Sequence, residues 1–207
     1  MRNRAMARAY WVLVSMVVLV GLVASFMAHG QKDQLVYFTN QSNIFLGVVA
    51  AWVAWRLWNG LETHPALLTS AVLFICITGL VYNVVLAPTA APQHGLGAFS
   101  TVVQHRVTPL MGLGGWLVFH RHGGLTWKHA AIWLVYPLSY FAFAIVRGLI
   151  VTSGGLRYPY PFLDVVKHGY AGVLENAVMY ALIFWIMGLI LVSVDRGLSR
   201  RLIAVEP

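Results

Sequence analysis

The chain has 207 residues, 59% of them hydrophobic and 10% charged, with a mean hydropathy of +0.74, far more apolar than a water-soluble domain of this length. A helix needs roughly 20 apolar residues to cross the hydrocarbon of a bilayer, so residues 1–207 have room for six crossings in a single integral membrane domain with short loops, which excludes a soluble domain on an anchor. The net charge of +8 comes from 14 Lys and Arg against 6 Asp and Glu, but the basic residues sit in loops and tails rather than in a patch, which points to membrane topology and to no nucleic-acid partner.

The first predicted span, 10–28, follows Arg2, Arg4 and Arg8. That order is similar to a signal peptide, yet the apolar run exceeds the roughly 7–15 residues of a signal h-region, so it reads as a retained helix. The following spans are predicted at 41–58, 67–87, 99–119, 130–151 and 170–194. The lone cysteine, Cys76, falls in the third span, which rules out an intramolecular disulfide and a Cys-based metal site and leaves packing as its role.

The fourth span is the informative one. Its purely apolar part, Val107 to Phe119, is 13 residues long, so a full crossing has to take Gln104, His105 and Arg106 into the membrane. Pro109 has no N–H for the carbonyl of His105, so a kink is expected where the polar cluster lies, freeing a carbonyl and admitting water.

Alternating the six spans places Arg2, Arg4, Arg8, Arg56, Arg121, Lys128, Arg196, Arg200 and Arg201 on one side and Lys32, Arg106, Arg147, Arg157 and Lys167 on the other. By the positive-inside rule both termini are then cytoplasmic. The expected class is an all-α membrane protein, a bundle of six transmembrane helices, in a membrane such as the bacterial plasma membrane.

In that topology the polar residues converge at one depth near the non-cytoplasmic surface: Thr39 to Asn43, Asn83, Gln104 to Arg106, Arg147, and Glu175 with Asn176. Ionisable and amide groups within spans normally face inward and pair with one another, so a single outer-leaflet polar site is expected. Thr39 and Asn43 are four residues apart, and Thr101, Gln104, His105 and Thr108 follow i, i+3, i+4, i+7, so each set lines one face of its helix.

A hydroxyl and an imidazole in one apolar pocket suggest nucleophilic catalysis, with His105 taking the proton of Thr39 or Ser42 as it attacks a carbonyl. Asn40, Asn43, Gln104, Arg106 or Arg147 are candidate oxyanion donors, and Asn176 is a further polar neighbour. Glu175 either orients the histidine or neutralises Arg106 or Arg147 as a structural ion pair, the second being the plainer reading. Interhelical hydrogen bonding alone is an equal account of Thr39 to Asn43. Asn40, Gln41 and Ser42 match a glycosylation sequon, but a helix entrance is a poor acceptor. The segment 157–164, with Pro159 and Pro161 among aromatics, reads as an extended cap over the polar site or as an interfacial anchor.

The order Tyr37, Phe38, Thr39, Asn40, Gln41, Ser42, Asn43, then His105 with Pro109, then Tyr158, Pro159, Tyr160, Pro161, Phe162, Leu163, Asp164 resembles the androgen-induced-gene and ADTRP family of multipass membrane threonine hydrolases, in its bacterial Pr-six-Pr branch. The resemblance implies cleavage of fatty acid esters of hydroxy fatty acids or similar amphiphilic lipid esters. It makes Thr39 the nucleophile and His105 the general base, with no cofactor or metal, and membrane lipids as the remaining partners. The competing class is a small multipass transporter or binding protein with an outer-leaflet polar site, which calls for polar residues continuing towards the cytoplasm and for broken helices near the midplane. A haem protein using His29, His94, His105 or His168 is a weaker competitor, since only His105 is securely within a span.

Overall fold

A computed structural model describes residues 4–30, 32–151 and 156–203, with side chains described as far as Ser199. Arg2 lies outside the described residues, and of Arg200 and Arg201 the backbone alone is described. Every regular element among them is helical. The chain divides into two compact units, Met1–Gly124 and Leu125–Pro207.

In the first unit, α1 (Arg4–His29) and α2 (Phe38–Trp58) are joined through a short 3-10 turn, Gln34–Val36. Helix α3 (Pro65–Val81) starts with proline at its first position, where a missing N–H is harmless, and His64 caps it by accepting from the N–H of Leu67. It continues as a π-helix, Tyr82–Leu86, and a 3-10 turn, Ala87–Thr89. Helix α4 (Gly95–Val102) runs through a second π-helix, Val103–Val107, into α5 (Thr108–Phe119). The core joins Trp11, Val14 and Val18 of α1, Leu46 and Val53 of α2, Leu68, Val72 and Ile75 of α3, and Trp116 of α5, all at most 2% exposed. Trp116 buries its indole N–H by donating to the hydroxyl of Thr69 at 2.8 Å, as an indole in an apolar core requires.

In the second unit, α6 (Trp127–Ile132) and α7 (Val135–Ile150) divide the fifth predicted span. Pro137 explains the break, since its ring excludes a helical bond to the carbonyl of Trp133. Helix α8 (Val165–Ile203) is interrupted at Gly169, whose φ of 66° is open to glycine at little cost, so the long apolar stretch starts at Tyr170 as the sequence suggests. Asp164 caps the short turn before that break through the N–H groups of Val166 and Lys167.

Four segments are long and apolar enough to cross a membrane: Arg4–His29, Pro65–Thr89, Trp127–Ile150 and Val165–Ser199. These are compatible with an integral membrane protein. Large apolar side chains such as Met16, Leu19, Val48 and Leu110 are more than half exposed, while Asn40, Ser42, Asn43, Thr69 and Gln104 are buried, the inverse of what water selects. The helices Phe38–Trp58 and Gly95–Phe119 fall short of that apolarity because they carry Thr39 to Asn43 and Gln104 to Arg106, the polar residues that form the candidate site.

Candidate active site

The site is assembled in the first unit where the start of α2 meets the two π-helices. Helix α2 begins at Phe38 rather than at Gln41, which brings Thr39 into its first turn. There the positive end of the helix dipole favours a developing negative charge. The hydroxyl Oγ1 of Thr39 lies 3.2 Å from Nε2 of His105, and Nδ1 of His105 lies 3.0 Å from the carbonyl oxygen of Thr101. A carbonyl only accepts, so Nδ1 carries the proton and donates to it. Nε2 of the neutral ring is then left with its lone pair directed at the threonine hydroxyl. Tyr82 stacks on the imidazole with ring centroids 3.9 Å apart and fixes its plane.

The backbone under His105 is irregular. Pro109 removes the donor that would serve the carbonyl of His105, and the chain responds by widening into the π-helix Val103–Val107 rather than by a simple kink. The freed carbonyl is not left to water: the side-chain amide of Asn83 donates to it at 3.0 Å and to the carbonyl of Gly79 at 2.8 Å. Asn83 in turn accepts from Nε of Arg106 at 2.9 Å, which leaves the terminal nitrogens of that exposed guanidinium for a ligand. Close approach is permitted by glycine on both sides. A Cβ on Gly79 would stand 3.0 Å from the ring of Pro109, and one on Gly21 would stand 2.6 Å from the side chain of Val103.

Beneath this surface lies a buried polar frame. Asn43 donates to the carbonyls of Thr39 at 2.9 Å and Gln104 at 3.3 Å, and accepts from the hydroxyl of Thr108 at 2.8 Å. Gln104 donates to Asn40 at 2.9 Å, and Asn40 donates to the backbone and side-chain carbonyls of Gln34. The hydroxyl of Ser25 completes the chain at Gln34. Ser42 lies against the carbonyl of Thr39 at 3.1 Å and the hydroxyl of Thr78 at 2.6 Å. The amide donors of Asn40, Asn43 and Gln104 are thus directed to protein carbonyls, and their chemistry here is to fix the backbone of Gln34, Thr39 and Gln104.

Thr39, Asn40, Ser42, Asn43, Gln104, His105 and Arg106 therefore come together in one unit. Arg147, Glu175 and Asn176 belong to the other, where Glu175 is exposed and Asn176 donates to the carbonyl of Phe162 at 3.0 Å. The Nδ1 position that an orienting carboxylate would occupy is taken by the carbonyl of Thr101. The segment 157–164 packs within its own unit: Arg157 donates to the carbonyl of Gly148 at 2.8 Å, Tyr158 fills the space left by the missing side chain of Gly148, and Phe162 lies against Tyr180.

Three participants carried little signal in sequence. Tyr82 looks like one of many interfacial aromatics, Gln34 lies in a loop between spans, and Thr78 is a lone hydroxyl in an apolar helix. The one usable hint was Asn83, a polar residue four places after Gly79 at the exit of a span.

Over 140 residues the chain is 28% identical to a Mycoplasma pneumoniae protein called "Uncharacterized protein MG452 homolog". The match takes in 62% of this chain and 56% of that protein, so the chain spans about half the length of this relative. No family model matches the chain, and no solved structure does.

Proposed function

We propose that the chain is an intramembrane hydrolase of lipid carboxylic esters, with Thr39 as nucleophile and His105 as general base. The observation that carries the reading is the run from Thr39 Oγ1 to His105 Nε2 at 3.2 Å and from His105 Nδ1 to the Thr101 carbonyl at 3.0 Å. This is a nucleophile, a base within proton-transfer reach, and a group that sets the tautomer of that base. The resemblance to the androgen-induced-gene and ADTRP family, carried by the motifs around Thr39, His105 and Tyr158 to Asp164, supports the same assignment.

In the proposed reaction the hydroxyl of Thr39 attacks the ester carbonyl while Nε2 of His105 takes its proton. The oxyanion forms beside the first turn of α2, whose dipole favours negative charge. Collapse expels the alcohol, which receives the proton from His105, and leaves an acyl-threonine. Water then attacks the acyl carbon, gives its proton to Nε2, and releases the fatty acid with the hydroxyl of Thr39 restored. Thr39 and His105 are both half-buried, a setting that suits an amphiphile whose tails stay among helices while its ester meets water at the surface. The wider reading places all six helical segments across a bacterial plasma membrane with both termini in the cytoplasm.

The test is turnover of a fluorogenic long-chain ester, and of a fatty acid ester of a hydroxy fatty acid, by detergent-solubilised protein. Thr39→Ala and His105→Ala are expected to lose about 10²–10⁴-fold or more, and a fluorophosphonate probe is expected to label wild type but not Thr39→Ala. A folded wild type with neither turnover nor labelling would turn the polar cluster into a binding or transport site.

A further inference from the structure

Thr39 and Trp58 stand at opposite ends of α2, about 28 Å apart at the rise of a helix. At the Trp58 end, an open groove of about 560 Å³ runs between α1 and α2, lined chiefly by Arg8, Val12 and Met16 from one helix and Ala51, Trp55 and Trp58 from the other. The α1 residues recur every fourth position and those of α2 at i, i+4, i+7, so each helix offers one continuous stripe to the groove over about 12 Å of its length. Met16, Trp55 and Trp58 are 58%, 56% and 70% exposed, so the walls are apolar surface turned towards the surroundings.

One end of this apolar groove is cationic. The guanidinium of Arg8 sits 4.2 Å from the ring centroid of Trp58, and Arg4, one turn earlier on α1, reaches the carbonyl of Gly60 at 3.3 Å. A guanidinium lying over an indole is held in place by the ring while its N–H donors remain in its own plane, suited to a phosphate. Tryptophan is also the residue that settles at the level of lipid headgroups.

We propose that this groove is a binding site for an anionic glycerophospholipid, with one acyl chain along Val12, Met16 and Ala51 and the phosphate on Arg8, seconded by Arg4. Charge complementarity selects this occupant. A zwitterionic lipid brings a cationic headgroup to the same two arginines, whereas an anionic one brings only negative charge. The inference needs the first unit to lie in a bilayer and is independent of the hydrolase reading.

The experiment offers the purified, full-length protein equal amounts of phosphatidylglycerol and phosphatidylcholine in detergent, and counts the lipids retained by native mass spectrometry. Wild type is expected to retain phosphatidylglycerol in preference. Arg8→Gln should lower that preference about fivefold, as the loss of one basic contact to an anionic lipid predicts, and binding at about 1 M salt should abolish it. Ala51→Leu, which fills the groove, should reduce retention of both lipids. Equal retention of the two lipids by wild type, a preference left unchanged by Arg8→Gln or by high salt, or unchanged retention in Ala51→Leu would each overturn the assignment. So would a wild-type dimer that Ala51→Leu dissociates, since a second copy would then occupy the groove.

Discussion

At the scale of residues, the imidazole of His105 is defined by what surrounds it. The carbonyl of Thr101 and the ring of Tyr82 leave one orientation, and that orientation turns Nε2 to Thr39. Asn43 does for the threonine what those groups do for the histidine. It is fully buried, donates to the carbonyls of Thr39 and Gln104, and accepts from Thr108. Asn43→Ala leaves those groups short of a partner away from water, so a loss of about 1–3 kcal/mol is expected, read as a lower melting temperature in detergent. Asn43→Asp should be worse, because it replaces two donors facing carbonyls with an acceptor or a buried charge. Under the proposed mechanism, Asn43→Ala also lowers kcat more than it raises KM, and a stability loss with kcat intact would separate the frame from the chemistry. Thr39 and Asn43 on one helix face, and a histidine within a polar helical stretch, were legible in sequence. The partner of Nδ1 was not, since a backbone carbonyl carries no residue signature.

At the scale of elements, the candidate site depends on two helices that give up regular bonding next to each other. Tyr82–Leu86 and Val103–Val107 are both π-helical, and Asn83 of the first closes the gap opened by Pro109 in the second. The proline made an irregularity in the fourth predicted span readable, but not that it takes the form of a widened turn, because this depends on a donor supplied from a neighbouring helix. Past the irregular turn, α5 packs tightly on α1. A Cβ at Gly115 would stand 2.5 Å from the ring of Tyr10 and 3.0 Å from that of Trp11, whereas one at Gly114 would meet nothing nearer than 3.6 Å. Tyr10 cannot easily turn aside, since its hydroxyl donates to the carbonyl of Met111 at 2.8 Å. Gly115→Ala is therefore expected to destabilise by about 1–3 kcal/mol through overpacking. Gly114→Ala should be neutral or gain up to about 1 kcal/mol from helix propensity. Thermal unfolding of the two variants side by side distinguishes close packing from a general intolerance of the glycine run.

At the scale of the whole molecule, three arginines near helix ends are paired with tryptophan: Arg8 with Trp58, Arg56 with Trp52, and Arg196 with Trp127. In the proposed topology all three arginines fall on the cytoplasmic side, where aromatic rings suit the headgroup level. The proposed topology has six crossings, so tags fused at the two ends of the chain are expected on the same face of the membrane. In spheroplasts both tags should resist external protease while a cysteine introduced at Lys167 is labelled from outside. One protected and one cleaved tag would instead indicate an odd number of crossings, with α2 or the Gly95–Phe119 segment as the one that fails to cross.

Composition and hydropathy by themselves determined that the chain is helical and suited to lipid, because an apolar run either has the length of a bilayer or does not, whatever it packs against. They also marked which residues are too polar for that setting to be there without partners. What only the tertiary structure decided is the division of those polar residues into buried amides that hold carbonyls and half-buried groups that stay accessible. It also decided that the first unit gathers seven of the ten singled-out positions, while Arg147, Glu175 and Asn176 belong to the second. The reason is physical: a hydrogen bond depends on distances of a few tenths of an ångström between helices far apart in sequence. Periodicity gives the face on which a side chain lies, and packing alone gives the atom it meets.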